Sequence, residues 1–156
     1  MLQVGDRAPE FTLPDHGGQD RSLTSFLGDS ALVLYFYPAD FTPGCTREAC
    51  DFRDVHQQLI RAKLKVVGIS PQDPATHARF REKYNLPFTL LSDVDKSVIK
   101  MYQLDGPLGI GVRRGTYLID GSRKILGAML ADFRIGRHLA FVQDAIAVRG
   151  PLTRQA

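Results

Sequence analysis

Residues Ala31 to Tyr37 read ALVLYFY, seven apolar or aromatic positions in succession, and the run stops at Pro38. With no polar position breaking it, such a stretch is expected to be a central strand buried on both faces. A strand of that kind needs layers above and below it. That points to an α/β sheet with helices on both sides.

The flanking sequence supplies those layers. Phe11 to Asp15 and Gln19 to Leu23 enclose His16-Gly17-Gly18 and read as an N-terminal β-hairpin. Pro38 to Gly44 is a loop with two prolines and a glycine. From about Cys45 to Ala62, apolar residues recur at Ala49, Phe52, Val55, Leu59 and Ile60, a helical stripe. Thr42 is its expected N-cap and Pro43 its first helical residue. The alternation then repeats: strand Leu64 to Ile69, helix Pro74 to Tyr84 capped by Asp73, strand Phe88 to Leu91 and helix Ser97 to Tyr102. Gly115 to Ile119 and Lys124 to Leu130 are strands joined by a hairpin at Asp120-Gly121. Arg137 to Val148 forms a last helix, ended by Gly150-Pro151. Hairpins near both ends make the central sheet mixed rather than purely parallel. Residues 1–156 are expected to form a single domain, a length within the common range.

Composition removes several function classes. A net charge of +3 on 156 residues, with no basic run interleaved with aromatics, gives no footprint for nucleic acid. No stretch reaches the roughly 18 apolar residues that span a bilayer, and Met1 to Glu10 lacks the layout of a secretory signal. The chain is therefore assigned to the cytoplasm, where cysteines tend to be catalytic or redox-active rather than structural. Gly106, Gly109 and Gly111 form G-x-x-G-x-G leading into a strand. With no helix N-terminus following, this is a loop rather than a phosphate site.

The chain has two cysteines, Cys45 and Cys50. Cys45 stands where loop becomes helix, and unpaired N–H groups and the positive end of the helix dipole favour a thiolate there. The thiolate is the nucleophilic form. Five residues of intact helix separate two Cα atoms by roughly 8.5 Å, beyond the range of about 4.4–6.8 Å for a disulfide. The two sulfurs can join only if the helix unwinds. Two unrelated buried thiols are an open alternative. A zinc site would need four ligands, and His16, His56, His77 and His138 supply no ligand pair. No thioredoxin-type C-x-x-C is present.

The string Pro38-Ala-Asp-Phe-Thr42-Pro-Gly-Cys45 matches P-x-x-x-T-x-x-C, and here the chain resembles the peroxiredoxins. YFYPADFTPGCTREACDFRD, together with GDRAPEFTLPD, FTLLSDVD and RGTYLID, resembles the bacterioferritin comigratory protein (PrxQ) subfamily over almost the whole chain. The resemblance implies a thioredoxin-like fold, with a central mixed β-sheet flanked by helices. It implies a thiol-dependent peroxidase for hydrogen peroxide and organic hydroperoxides, needing no metal or organic cofactor. Cys45 would become a sulfenic acid, Cys50 would close an intramolecular disulfide with it, and thioredoxin or a similar dithiol would restore both. It further implies that Thr42 hydrogen-bonds the thiolate and the peroxide, that Pro38 walls the site from water, and that Gly44 and Arg114 help bind substrate. Arg114 is selected over Arg113 by the family spacing R-x-T-Y-L-I-D. Glu48, three residues beyond Cys45 on the same helix face, either orients Arg114 or is a solvated surface residue. The subfamily resemblance favours a monomer. Ala39 stands where relatives often carry Lys, and the loop LDGPLGIGV lacks their Trp.

Two further functions compete at this level. One is a disulfide exchanger without peroxidase activity. The other is a redox-sensing or chaperone-like thioredoxin-fold binding protein whose disulfide only switches its conformation. A structural domain with inert cysteines is the third reading.

Overall fold

The run beginning at Ala31 is a strand, Ala31–Phe36, and all six of its residues are buried. The computed structural model describes residues 1–155, with side chains described as far as Arg149. In chain order the elements are β1 (Thr12–Pro14), β2 (Asp20–Ser22), β3 (Ala31–Phe36), α1 (Pro43–Asp54), α2 (His56–Arg61), β4 (Leu64–Ser70), α3 (Pro74–Lys83), β5 (Thr89–Ser92), α4 (Ser97–Met101), β6 (Gly115–Ile119), β7 (Ile125–Leu130) and α5 (Gly136–Gln155). β1 and β2 form the N-terminal hairpin, and the other strands form one sheet in the order β5-β4-β3-β6-β7. β3 runs parallel to β4, and β4 to β5, whereas β6 and β7 pair antiparallel. The sheet is mixed, as the hairpin signals required.

Alternation along β3 divides the core. Leu32, Leu34 and Phe36 pack with Phe11, Leu23, Phe26, Val98 and Ile99, on the face covered by the N-terminal segment and α4. Val33 and Tyr35 pack with Cys45, Phe52, Leu59, Phe80 and Val142, on the face covered by α1, α2, α3 and α5. Each successive side chain of a strand points to the opposite face, so a strand with no polar residue can sit only between two apolar layers.

Two local expectations are corrected. The helix expected from Cys45 to Ala62 is two helices, because Val55 leaves helical geometry at φ −101°, ψ 9°. The apolar stripe runs through the break, since Phe52 before it and Leu59 after it are both buried, and periodicity alone does not register one non-helical residue. The last helix does not stop at Gly150-Pro151 but continues to Gln155. A proline removes one N–H donor, and beyond it every residue can again donate. The hairpin expected at Asp120-Gly121 is present, with β6 antiparallel to β7, and its left-handed residue is Arg123, at φ 71°. The Asp120 carboxylate accepts from the Ser122 and Lys124 N–H groups and shapes the turn. Gly121 is needed for a different reason: a Cβ there would lie 2.5 Å from the Gly28 carbonyl oxygen.

The sheet register decides where chemistry gathers. Phe36, the last residue of β3, pairs with Gly115, the first of β6. The loop leaving β3 toward α1 therefore lies beside Arg114. In sheets of this kind, ligands collect at the carboxyl ends of the parallel strands.

Candidate active site

Pro43 opens α1 at its first helical position, and Thr42 is the N-cap residue with an extended backbone. The Thr42 hydroxyl does not cap the helix; it donates to the Ala39 carbonyl at 2.9 Å. Proline has no N–H, and a helix's first turn has no acceptors for its own N–H groups. The amides of Gly44 and Cys45 thus stand at the positive end of α1. The preceding loop is pinned from beneath. Asp40 is buried, accepts the Tyr37 hydroxyl at 2.6 Å and lies 2.6 Å from His77 Nδ1. Phe41, at φ 66°, is held against the rings of Phe80 and Tyr84.

Cys45 is 1% exposed. Arg114 Nη2 lies 3.2 Å from its sulfur, while Nη1 donates to Glu48 Oε1 at 2.7 Å. A single guanidinium fork thus bridges the thiol and the carboxylate, a geometry that a lysine cannot reproduce. Arg113 points the other way and pairs with Asp132 through two bonds, 2.8 and 3.1 Å. The same Asp132 accepts the Arg114 backbone N–H at 2.9 Å, which fixes the strand entry. Partial burial works against the Asp132 charge, yet these hydrogen bonds hold its carboxyl below the usual range.

Glu48 is buried, not on a solvated face. Burial pushes its carboxyl up to about 7, against the pull of Arg114. Its second oxygen, Oε2, has no hydrogen-bond partner among the described residues and lies 3.5 Å from His138 Nδ1.

Beside this cluster opens a cleft of about 760 Å³, lined by Pro38, Thr42, Gly44, Arg114, Ile110 and Phe133 among others. Phe133 is 95% exposed and Ile110 74%, so one lip is apolar. The loop expected at Leu104 to Gly111 forms that wall, closed by a bridge between Asp105 and Val112. Pro38, Thr42, Gly44, Cys45 and Arg114 therefore meet at one place, although Arg114 is far from the others in sequence. Sequence reasoning missed Asp132, His138 with Thr116, whose hydroxyl lies 2.8 Å from His138 Nδ1, and the Asp40–His77 pair. None carries a local signal, because each is paired across the fold.

Cys50 lies half-buried further along α1, and both cysteines are free thiols. Burial pushes the Cys50 thiol up, with Arg53 pulling the other way. Since both residues lie in one intact helix, their Cα atoms are roughly 8.5 Å apart, too far for a disulfide. The end of α1 is anchored, with Phe52 buried and Arg53 Nη1 donating to the Tyr84 carbonyl at 2.8 Å.

The raised Glu48 carboxyl has a stability signature. Between about pH 4.5 and about 7 the folded chain holds a proton that the unfolded chain has released. That contribution is present below the unfolded value and is lost as pH rises through the folded one. Relative to Glu48→Gln, the wild-type chain should lose up to about 3 kcal/mol across this window, at about 1.4 kcal/mol per pH unit. Burial pushes His138 down, which gives the opposite slope; with its Nδ1 3.5 Å from Glu48 Oε2, the difference between the two proteins reports the Glu48–His138 pair. Urea denaturation at pH 5 and pH 7.5 checks this; an equal gap at both pH values means that Glu48 does not titrate there.

A model described as the AhpC/TSA family matches residues 4–127. A putative peroxiredoxin bcp of Coxiella burnetii is 44% identical over 147 residues, covering 90% of this chain and 96% of that one. A putative peroxiredoxin of Mycobacterium tuberculosis is 46% identical over 153 residues, covering 94% and 96%. Among solved structures, peroxidoxin BcpB of M. tuberculosis matches with a TM-score of 0.89 at 35% identity, covering 95% of this chain and 98% of that one. The bacterioferritin comigratory protein of Xanthomonas campestris, a structure concerned with its alkyl peroxide reduction activity, matches with a TM-score of 0.82 at 27% identity, covering 90% and 92%. The shared fold is thioredoxin-like. Similar to these relatives over nearly their whole length, the chain belongs to the AhpC/TSA family and is a thiol-dependent peroxidase of the Bcp/Q group of peroxiredoxins.

Proposed function

We propose that Cys45 attacks the peroxide and that Cys50 resolves the product within the same chain. The observation that carries this reading is the contact between Arg114 Nη2 and Cys45 Sγ, 3.2 Å, at the start of α1 and beside the cleft. The thiolate sulfur attacks the terminal peroxide oxygen. The S–O bond forms as the O–O bond breaks, and the departing alkoxide or hydroxide takes up a proton. Charge grows on that leaving oxygen, and preformed donors aimed at it are the largest lever on such a barrier. Arg114 and the first-turn amides of Gly44 and Cys45 are the donors at hand. The Thr42 hydroxyl keeps its oxygen lone pairs for a donor on the substrate while its own proton is held by Ala39. Pro38 lines the cleft without adding a donor.

Cys45 is then a sulfenic acid. The first turns of α1 unwind, the Cys50 thiol condenses with the sulfenic acid, and water leaves as the disulfide forms. An external dithiol such as thioredoxin reduces the disulfide by exchange and is itself oxidised. Both cysteines lie on one helix, so no second chain is needed, which supports a monomer. A reducing dithiol pool supports a cytoplasmic setting. The apolar lip of Phe133 and Ile110 suits organic hydroperoxides as well as hydrogen peroxide, in line with the alkyl peroxide reduction attributed to the Xanthomonas relative.

The test treats the reduced chain with one equivalent of cumene hydroperoxide, alkylates remaining thiols and maps the peptides. Both thiols should vanish together into a Cys45–Cys50 crosslink, and thioredoxin with its reductase should restore them. Peroxide consumption with Cys50 alkylatable at every time point would sink the intramolecular step.

A further inference from the structure

His138 belongs to no part of the mechanism above, yet it is fully buried behind the reacting cluster. It reaches that position from α5, about 90 residues from Cys45 in the chain. Its Nε2 is 2.9 Å from the Ala131 carbonyl oxygen. A carbonyl only accepts, so Nε2 carries the hydrogen. In the neutral ring Nδ1 is then a lone pair, 2.8 Å from the Thr116 hydroxyl and 3.5 Å from Glu48 Oε2. An ionised carboxylate is likewise an acceptor only. The Nδ1 lone pair accepts the Thr116 hydroxyl, so an ionised Oε2 is left without a donor in a dry place, and a proton on Glu48 competes with Thr116 for Nδ1.

We propose that His138 is a positioning residue for peroxide reduction: its Nδ1 shares one exchangeable proton with Glu48 Oε2 and so sets how firmly Glu48 draws Arg114 away from Cys45. With the proton in place, the carboxyl group is neutral or engaged by His138, and the guanidinium charge is directed at the sulfur and the leaving oxygen. Without it, the full carboxylate charge competes for the same fork through the 2.7 Å bond to Oε1. The raised Glu48 carboxyl agrees with a proton held there near neutral pH. The other groups facing the pair are Cys45 and Asp51 on α1, Arg114 at the entry to β6, Asp132 before α5, Arg137 on α5 and Tyr35 on β3. Of these, Tyr35 is kept a neutral phenol by its burial.

The inference rests on Cys45 and Arg114 acting as proposed, so one readout is independent of them. The Glu48 carboxyl carbon is followed by NMR against pH in the reduced full chain, assigned by its loss in Glu48→Gln. In His138→Asn the amide gives the carboxylate a permanent donor, and the midpoint should fall by at least about one pH unit. In Thr116→Val, Nδ1 loses its competing donor and the midpoint should rise; this milder variant decides the matter if His138→Asn does not fold. The second-order rate of Cys45 oxidation should drop about tenfold in His138→Asn, as for a displaced active-site group. Adding His138→Asn to Glu48→Gln should slow the rate no further, because the two act through one proton. A midpoint unmoved in the folded variants, or rate losses that multiply in the double variant, overturns the proposal. A Cys45→Ser chain that still turned over peroxide would refute the nucleophile assignment while leaving the Glu48 midpoints as they are.

Discussion

Cys45→Ser is expected to abolish peroxide turnover, lowering it by at least about four orders of magnitude, as the loss of a covalent nucleophile does. Serine keeps the shape of the site but its hydroxyl stays protonated, so neither Arg114 nor the N-terminus of α1 has an anion to present. Cys50→Ser should behave differently. Its Cys45 still reacts once, giving one equivalent of sulfenic acid, and then stalls until an outside thiol reaches the site. Rapid quenching with a sulfenic-acid trap, followed by mass measurement, separates the two. Normal turnover by Cys45→Ser would falsify the assignment outright. Sustained thioredoxin-driven turnover by Cys50→Ser would remove Cys50 from the cycle.

The second largest effect is expected at Arg114. Nη2 faces the sulfur at 3.2 Å and Nη1 holds Glu48 at 2.7 Å, so the side chain works as a fork and not only as a charge. Arg114→Met should reduce the second-order rate constant with peroxide by about 10²–10³-fold, the usual loss when one preorganised donor to a developing oxyanion is removed. Arg114→Lys should recover only part of it, because an ammonium cannot bridge two partners in a fixed plane. Since the chain has no Trp, the rate is best followed by competition for peroxide against a peroxidase of known speed. Full activity in Arg114→Lys would mean that charge alone suffices and that the bridge to Glu48 is incidental. The Arg114 main chain is held separately by Asp132, so the substitution leaves the strand entry supported.

Several of these features are legible in the sequence. The apolar run at Ala31 announced a doubly covered strand because side-chain alternation leaves no other way to hide it. The start of α1 was readable from Thr42-Pro43, since proline at a first helical position is a local rule. The break at Val55 was not readable, because it depends on how packing on one face competes with backbone preference, and Gly150-Pro151 reads as a stop although a proline removes only one donor. Glu48 stayed ambiguous for the same reason. On a helix wheel it lies on the Cys45 face, and only the packing of α5 and β6 against α1 shows that face to be buried.

The sequence by itself determined the motif from Pro38 to Cys45, the five-residue spacing of the thiols and that they can join only if α1 unwinds, because these are distances along one chain governed by helix geometry. The family spacing singled out Arg114, but the tertiary structure alone decided that it forks between Cys45 and Glu48, that Glu48 is buried, and that Thr116 and His138 stand behind it. Those contacts are made by the register of β6 on β3 and by the docking of α5, which join residues tens of positions apart. Local sequence carries no record of such pairings, since each partner taken alone reads as an ordinary Arg, Thr or His.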